Sequence, residues 1–167
     1  MSLIDSEIAA LAEELGRRLA ARGAHVSTAE SCTGGLVAGA ITSIAGSSGW
    51  FERGFVTYSN EAKAEMLDVA PAILAEHGAV SEATARAMAE GAMRASGADL
   101  AVAVTGVAGP GGGTAAKPVG MVCFAWAAKG SATSALTRHL PGDREAVRLA
   151  SVAVALRGLV DRLPPEN

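Results

Sequence analysis

The run Leu100-Ala101-Val102-Ala103-Val104 is apolar at every position. A strand with one wet face alternates apolar and polar side chains, so a run without alternation predicts a central strand covered on both faces. Helical patterns elsewhere supply the covering. Ile4, Ile8, Leu11, Leu15 and Leu19 recur at helical spacing, with acidic residues early, arginines late and Gly23 as the stop. Leu36, Val37, Ala40, Ile41 and Ile44 form a second such pattern, ended by Gly46. Further helical stretches are predicted over 62–67, 71–77 and 81–96, and a last one from Asp143. Strands are predicted over 24–26, 55–58, 119–127 and 131–140, the last two joined as a hairpin by Ala128-Lys129-Gly130. This alternation predicts an α/β fold, a three-layer α/β/α sandwich with a mixed central sheet, in one domain over 1–167.

Composition removes several classes of function. Half of the 167 residues are apolar and 19% charged, which suits a packed core and excludes a disordered chain. With a net charge of −3 and no basic cluster interleaved with aromatics, nucleic acid is not an expected partner. The stretch 149–156 is apolar on nearly every side but far short of the ~20 residues of a membrane span, so no membrane partner is expected either. A helix apolar all round must be covered twice, by its own chain or by another copy. Together with Trp50-Phe51 in a Ser/Gly-rich loop, it predicts a homo-oligomer, most simply a homodimer. Asp5, Glu7, Glu13 and Glu14 stand where a signal peptide would be basic and apolar, and the two cysteines form no CxxC, which reads as cytoplasmic. His25, His77 and His139 lack ligand spacing, so no metal is expected. Residues 163–167 read as a frayed tail, and Cys123, inside a strand, as core.

Two stretches concentrate small and hydroxylic residues just past predicted strands: Thr28-Ala29-Glu30-Ser31-Cys32-Thr33-Gly34-Gly35 and Thr105-Gly106-Val107-Ala108-Gly109-Pro110-Gly111-Gly112-Gly113. Hydroxyls and glycines at strand ends let backbone N–H groups approach an anion and let a nucleophile stand clear of its neighbours. They are read as two walls of one site. A third segment between them, Gly54-Phe55-Val56-Thr57-Tyr58-Ser59-Asn60-Glu61-Ala62-Lys63, reads as a strand followed by a helix capped at Ser59 or Asn60. The glycine loop carries neither the Gly-Lys-Ser/Thr ending of a P-loop nor G-x-G-x-x-G, but Gly106, Gly109, Gly111 and Gly112 can still present N–H groups to a single phosphate.

In this order the three segments resemble the CinA carboxy-terminal family, whose enzymatic members are nicotinamide mononucleotide deamidases. The resemblance extends to Gly78-Ala79-Val80-Ser81, Lys117-Pro118-Val119-Gly120 and Pro141-Gly142-Asp143-Arg144, and so to nearly the whole chain. Some relatives carry a large additional amino-terminal domain, and this chain resembles the stand-alone form. The resemblance implies hydrolysis of the carboxamide of nicotinamide mononucleotide, with neither metal nor organic cofactor.

Deamidation needs a nucleophile, donors for the developing oxyanion and a proton for departing ammonia. Ser31 is the candidate nucleophile, with Thr33, Gly34 and Gly35 leaving room for substrate and the start of the following helix offering N–H donors. Ala29 and Thr33 replace the glycines of a G-x-S-x-G elbow, and no histidine lies in any of these segments. Lys63 is then the best available base; spacing alone suits a solvated lysine, and the resemblance to the family's Tyr-x-Asn-x-x-Lys pattern, here Tyr58, Asn60 and Lys63, favours the base. Glu30 either orients Lys63 or caps the second helix. Tyr58 either contacts substrate or lysine or is a half-buried strand residue. Thr105 is expected in the site, at the carboxyl end of the central strand. Arg144 either meets the phosphate or is an exposed first-turn arginine. Cys32 adjoins the nucleophile and reads as a small packed residue. Two other readings remain open, a binding module holding a nucleotide without turnover and a hydrolase of another small amide or phosphate-bearing ligand.

Overall fold

The computed structural model describes residues 5–164. Five strands, β1 (Val26–Glu30), β2 (Phe51–Val56), β3 (Leu100–Gly106), β4 (Met121–Ala128) and β5 (Ser134–His139), form one sheet in the order β2-β1-β3-β4-β5. The first three are parallel, and β4 and β5 run antiparallel to their neighbours. Parallel neighbours need crossovers. The helix α2 (Leu36–Thr42) lies between β1 and β2, while α3 (Asn60–Leu67), α4 (Pro71–His77) and α5 (Glu82–Ser96) lie between β2 and β3.

The remaining helices, α1 (Ser6–Arg22) and α6 (Arg144–Asp161), join α2 on one face of the sheet, where Leu15, Leu19, Val26, Val102, Val104, Phe124 and Leu156 form the larger core. On the other face Leu67, Ala85, Met88, Ala89 and Ala92 meet Ala29, Ala101, Ala103 and Ala125. Small side chains on both surfaces let α5 lie close to the sheet. The central strand β3 thus sends valines to one core and alanines to the other, giving the α/β/α sandwich with a mixed sheet that its unalternating run predicts.

Several sequence expectations change in detail. Strand β1 runs on through Thr28, Ala29 and Glu30, so only the part of that segment from Ser31 onward is a turn. Strand β2 starts at Phe51 and ends at Val56; its middle residues Glu52, Arg53 and Gly54 are exposed on an edge, so the apolar pattern that marks a covered strand is missing. The 36–44 helix ends at Thr42.

Trp50 is not exposed. Its indole lies over Gly16 of α1, where an added Cβ would come within 2.6 Å of the ring, and Trp50 and Phe51 both pack against the larger core. In α6, Val147, Val152, Ala155, Leu156 and Leu159 are buried and Leu149, Ala153 and Val154 pack against the same cluster, so the chain itself covers much of the apolar helix. Gly158 leaves room for the Trp126 indole, whose Nε1 donates to the Ala155 carbonyl (3.0 Å). Leu163, expected in a frayed tail, is core, and its carbonyl accepts from Arg18. Ile4 and residues 165–167 lie outside the described residues. Among the described residues no helix is long and apolar enough to cross a membrane.

Candidate active site

Parallel strands place their carboxyl ends along one edge, and the site forms there. Ser31 follows β1 directly. Its N–H donates to the Val104 carbonyl of β3 (2.9 Å), and on the other side Thr57 N–H donates to the Glu30 carbonyl (2.8 Å). Both bonds continue the ladders past the strand ends and fix Ser31 between β2 and β3. The chain then turns sharply: Gly34 N–H donates to the Ser31 carbonyl (3.0 Å), and Gly34 and Gly35 hold φ of 56° and 104°, where side chains with a Cβ are strained.

Helix α2 begins only at Leu36, so Ser31 does not stand at its first turn. The N–H groups there are occupied. The Glu30 carboxylate accepts from Val37 N–H (2.8 Å), Ala38 N–H (3.0 Å) and the Thr33 hydroxyl (2.6 Å). Glu30 therefore caps α2 from below, one of the two roles open to it, and those helix donors do not serve an oxyanion.

Lys63 projects from α3, whose first turn Ser59 caps by accepting from Ala62 N–H (3.0 Å). Its side chain is 1% exposed, and Nζ lies 3.1 Å from Ser31 Oγ, 2.8 Å from the Thr57 carbonyl and 3.2 Å from the Tyr58 carbonyl. None of these three partners is a carboxylate. Burial pushes the ammonium below the ordinary lysine range. An ionised Cys32 would oppose this, but burial pushes that thiol up to about 11 and leaves it neutral at ordinary pH. As an ammonium Lys63 donates to Ser31 Oγ, whose own hydroxyl donates to the Tyr58 carbonyl (3.4 Å); an uncharged amine would keep N–H bonds to the carbonyls of Thr57 and Tyr58 and turn its lone pair to the Ser31 hydroxyl.

A cavity of about 300 Å³ opens beside this pair, lined by Ser31, Cys32, Tyr58, Thr105, Gly106, Gly109, Gly111, Gly112 and Arg144, together with Ala79, Val80, Val107 and Ala108. Thr105, 1% exposed, donates its hydroxyl to the Ala79 carbonyl (2.8 Å), tying the loop before α5 to the end of β3. At the rim Arg144 donates to the Gly109 carbonyl (2.8 Å) and to the Tyr58 phenol oxygen (3.2 Å), a clasp from α6 across to the segment after β2. Among the described residues, the N–H groups of Ala108, Gly109, Gly111, Gly112 and Gly113 donate to no backbone carbonyl.

The structure thus brings Ser31, Lys63, Tyr58, Thr105, Arg144 and the loop glycines together. It does not bring Glu30, Thr33, Gly34, Gly35 or Asn60 to the cavity: the first two form the cap, the two glycines the turn, and Asn60 borders a shallow depression with Glu61, Ala64, Pro71 and Leu74. Sequence reasoning gave no role to Ala79 and Val80, although their segment belongs to the resemblance. It also missed Arg148, whose guanidinium donates to the carbonyls of Cys32 (3.1 Å) and Thr33 (3.3 Å). Its one signal is its place a helical turn after Arg144.

Fold and cavity define an α/β protein with a small-molecule pocket at the carboxyl edge of its parallel strands and a buried lysine on a serine hydroxyl. The chain belongs to the CinA C-terminal domain family, whose model matches residues 8–163. It is 57% identical over 160 residues to nicotinamide-nucleotide amidohydrolase PncC of Escherichia coli K12, covering 94% of this chain and 95% of that one. A putative competence-damage inducible protein of Symbiobacterium thermophilum is 55% identical over 162 residues, which are 92% of this chain but 38% of that protein. The crystal structure of the competence/damage inducible protein CihA from Agrobacterium tumefaciens superposes with a TM-score of 0.93 at 50% identity, covering 96% of this chain and 98% of that one.

Proposed function

We propose that this chain hydrolyses the carboxamide of nicotinamide mononucleotide to nicotinic acid mononucleotide and ammonia, with Ser31 as nucleophile and Lys63 as its base. The observation that carries this reading is the 3.1 Å contact between a buried lysine and a serine hydroxyl lining the pocket. The likeness to the amidohydrolase PncC supports the substrate.

In this mechanism Ser31 Oγ attacks the carboxamide carbon as its proton passes to Lys63. The oxyanion that forms is met by the Cys32 N–H, which donates to no backbone carbonyl among the described residues. Lys63 then protonates the departing nitrogen, the C–N bond breaks, and ammonia leaves an ester on Ser31. Water attacks that ester, its proton passing to Lys63 and on to Ser31 as the acid is released. The Thr105 hydroxyl donates to the Ala79 carbonyl, so toward the pocket it offers only lone pairs, which suit the –NH₂ of a carboxamide and disfavour the carboxylate product. Tyr58, Arg144 and the glycine loop, which line the same cavity, hold the ribose phosphate in this reading.

Incubation of the purified protein with nicotinamide mononucleotide should release ammonia and nicotinic acid mononucleotide in equal amounts. Binding without ammonia, even at stoichiometric enzyme, would convert the reading to a nucleotide-binding module. As part of the same proposal the protein works as a homo-oligomer, most simply a two-fold dimer: Val56, Tyr58, Met66 and Val119 remain exposed large apolar groups in the chain alone. Light scattering at micromolar concentration should give a multiple of the monomer mass, and a monomer mass would defeat it.

A further inference from the structure

We propose that Arg148 is a positioning residue for the nucleophile, holding the turn that carries Ser31 from outside the β1–α2 unit. This rests on the reading of Ser31 given above and extends it to a residue that does not line the pocket. Three other restraints act on the turn: Ser31 N–H on Val104 of β3 and, within the β1–α2 unit, Gly34 N–H on the Ser31 carbonyl and the Thr33 hydroxyl on Glu30. They fix the two ends of the turn. They leave the Cys32–Thr33 and Thr33–Gly34 peptide planes without a partner for their carbonyls other than Leu36 N–H on Thr33 (3.0 Å).

Arg148 fills that gap. Its Nε donates to the Cys32 carbonyl at 3.1 Å and a terminal nitrogen donates to the Thr33 carbonyl at 3.3 Å, so the rigid planar fork of one guanidinium spans two consecutive peptide units. In a trans peptide the N–H lies antiparallel to the C=O, so holding these carbonyls also sets the direction of the Thr33 and Gly34 N–H groups and the path of the chain leaving Ser31. A cation is also well suited to the Cys32 carbonyl, which accepts from no backbone N–H among the described residues, and to the second lone pair of the Thr33 carbonyl. The side chain is partly buried, and its terminal nitrogen lies 3.3 Å from the point a Cβ on Gly34 would occupy, so the glycine that allows the turn also allows the guanidinium to approach.

The helix that presents Arg148 also presents Arg144, one turn earlier, to the pocket rim. Helix α6 therefore touches the site twice, at the rim through Arg144 and behind the nucleophile through Arg148. The two contacts predict different kinetic signatures. Loss of a group that meets substrate raises KM, whereas loss of one that only aims Ser31 lowers kcat.

The test compares Arg148→Met, which keeps the apolar stem, and Arg148→Lys, which keeps the charge but lacks the fork. Two readouts are used: turnover of nicotinamide mononucleotide, and the rate at which a fluorophosphonate labels Ser31. A misplacement of the nucleophile on the ångström scale costs on the order of 10² in rate. Arg148→Met should lower kcat and the labelling rate together by ~10- to 100-fold, with KM within about twofold of wild type and the pH limb of the lysine unmoved. Arg148→Lys should recover part of the loss, and it carries the test if the methionine variant does not fold. Unchanged kcat and labelling in both variants would overturn the proposal, as would a loss confined to KM or a displaced pH limb. If wild type is labelled at Ser31 yet releases no ammonia, the substrate reading has failed, and the labelling rates alone decide the role of Arg148.

Discussion

Ser31→Ala and Lys63→Met should each lower turnover of nicotinamide mononucleotide by at least ~10²-fold while leaving the fold intact. The two side chains share one hydrogen bond, so the double variant should be scarcely worse than either single one. The pH dependence separates their roles. In the proposed mechanism Lys63 takes the serine proton only when uncharged, so kcat/KM should rise with pH through a limb lying below the ordinary lysine range, since burial lowers this ammonium. Residual activity of Lys63→Met should lack that limb. In wild type stability should rise with pH alongside activity, whereas Lys63→Met should trade activity for stability. The folded-state value is below the unfolded one, so the cost of burying the charge is fully present below the folded value and disappears as pH climbs toward the unfolded value. At neutral pH Lys63→Met should therefore melt higher, by about 2–4 °C for each kcal/mol relieved. Cys32→Ala should be mild, because a thiol pushed up to about 11 is not a thiolate at working pH. Near-native rates in both Ser31→Ala and Lys63→Met would remove the dyad, and a dead Cys32→Ala beside a live Ser31→Ala would move the nucleophile to the cysteine.

Much of this site was legible in the sequence because its parts lie at strand ends, where periodicity stops and small residues cluster. The unalternating run at 100–104 announced the central strand, and Thr105 and the glycines after it had to lie at its carboxyl end. What the sequence left open was which of two partners a side chain chooses. Glu30 follows a strand and precedes a helix, so a cap and a lysine partner were equally compatible with its position; only the register that brings Val37 and Ala38 N–H to its carboxylate decides. Edge strand β2 was misplaced for a different reason. With Glu52, Arg53 and Gly54 exposed in its middle, only Phe51 and Phe55 pack inward, too few to impose a pattern. Trp50 and the apolar girdle of α6 looked like surface needing a partner, because Gly16 and Gly158, which admit the indoles of Trp50 and Trp126, are separated from them by long stretches of chain. Arg148 had only its spacing from Arg144 to mark it, because its partners are backbone carbonyls, which every residue has.

Removing the substrate's phosphate should cost more than binding. Nicotinamide mononucleotide is expected to exceed nicotinamide riboside by ~10²-fold or more in kcat/KM, with part of the loss in kcat. Three features of the pocket support this. Arg144 stands at its rim, the amides of Gly109, Gly111 and Gly112 after β3 donate to no backbone carbonyl among the described residues, and positive φ at Gly109 and Gly112 (85° and 82°) lets successive N–H groups converge. A phosphate dianion gains more from such donors than a ribose hydroxyl does, and that remote binding energy can be used to press the carboxamide against Ser31. Arg144 at present donates to Gly109 and Tyr58, so phosphate must draw the guanidinium from at least one of them. Arg144→Ala should therefore raise KM for the mononucleotide by ~10-fold or more while changing the slow riboside reaction little, and inorganic phosphate should compete weakly with wild type but not with the variant. Equal rates on the two substrates would sink the phosphate assignment even with deamidation confirmed. An Arg144→Ala variant that lost riboside and mononucleotide turnover alike would instead give Arg144 a structural role, holding the glycine loop against Tyr58.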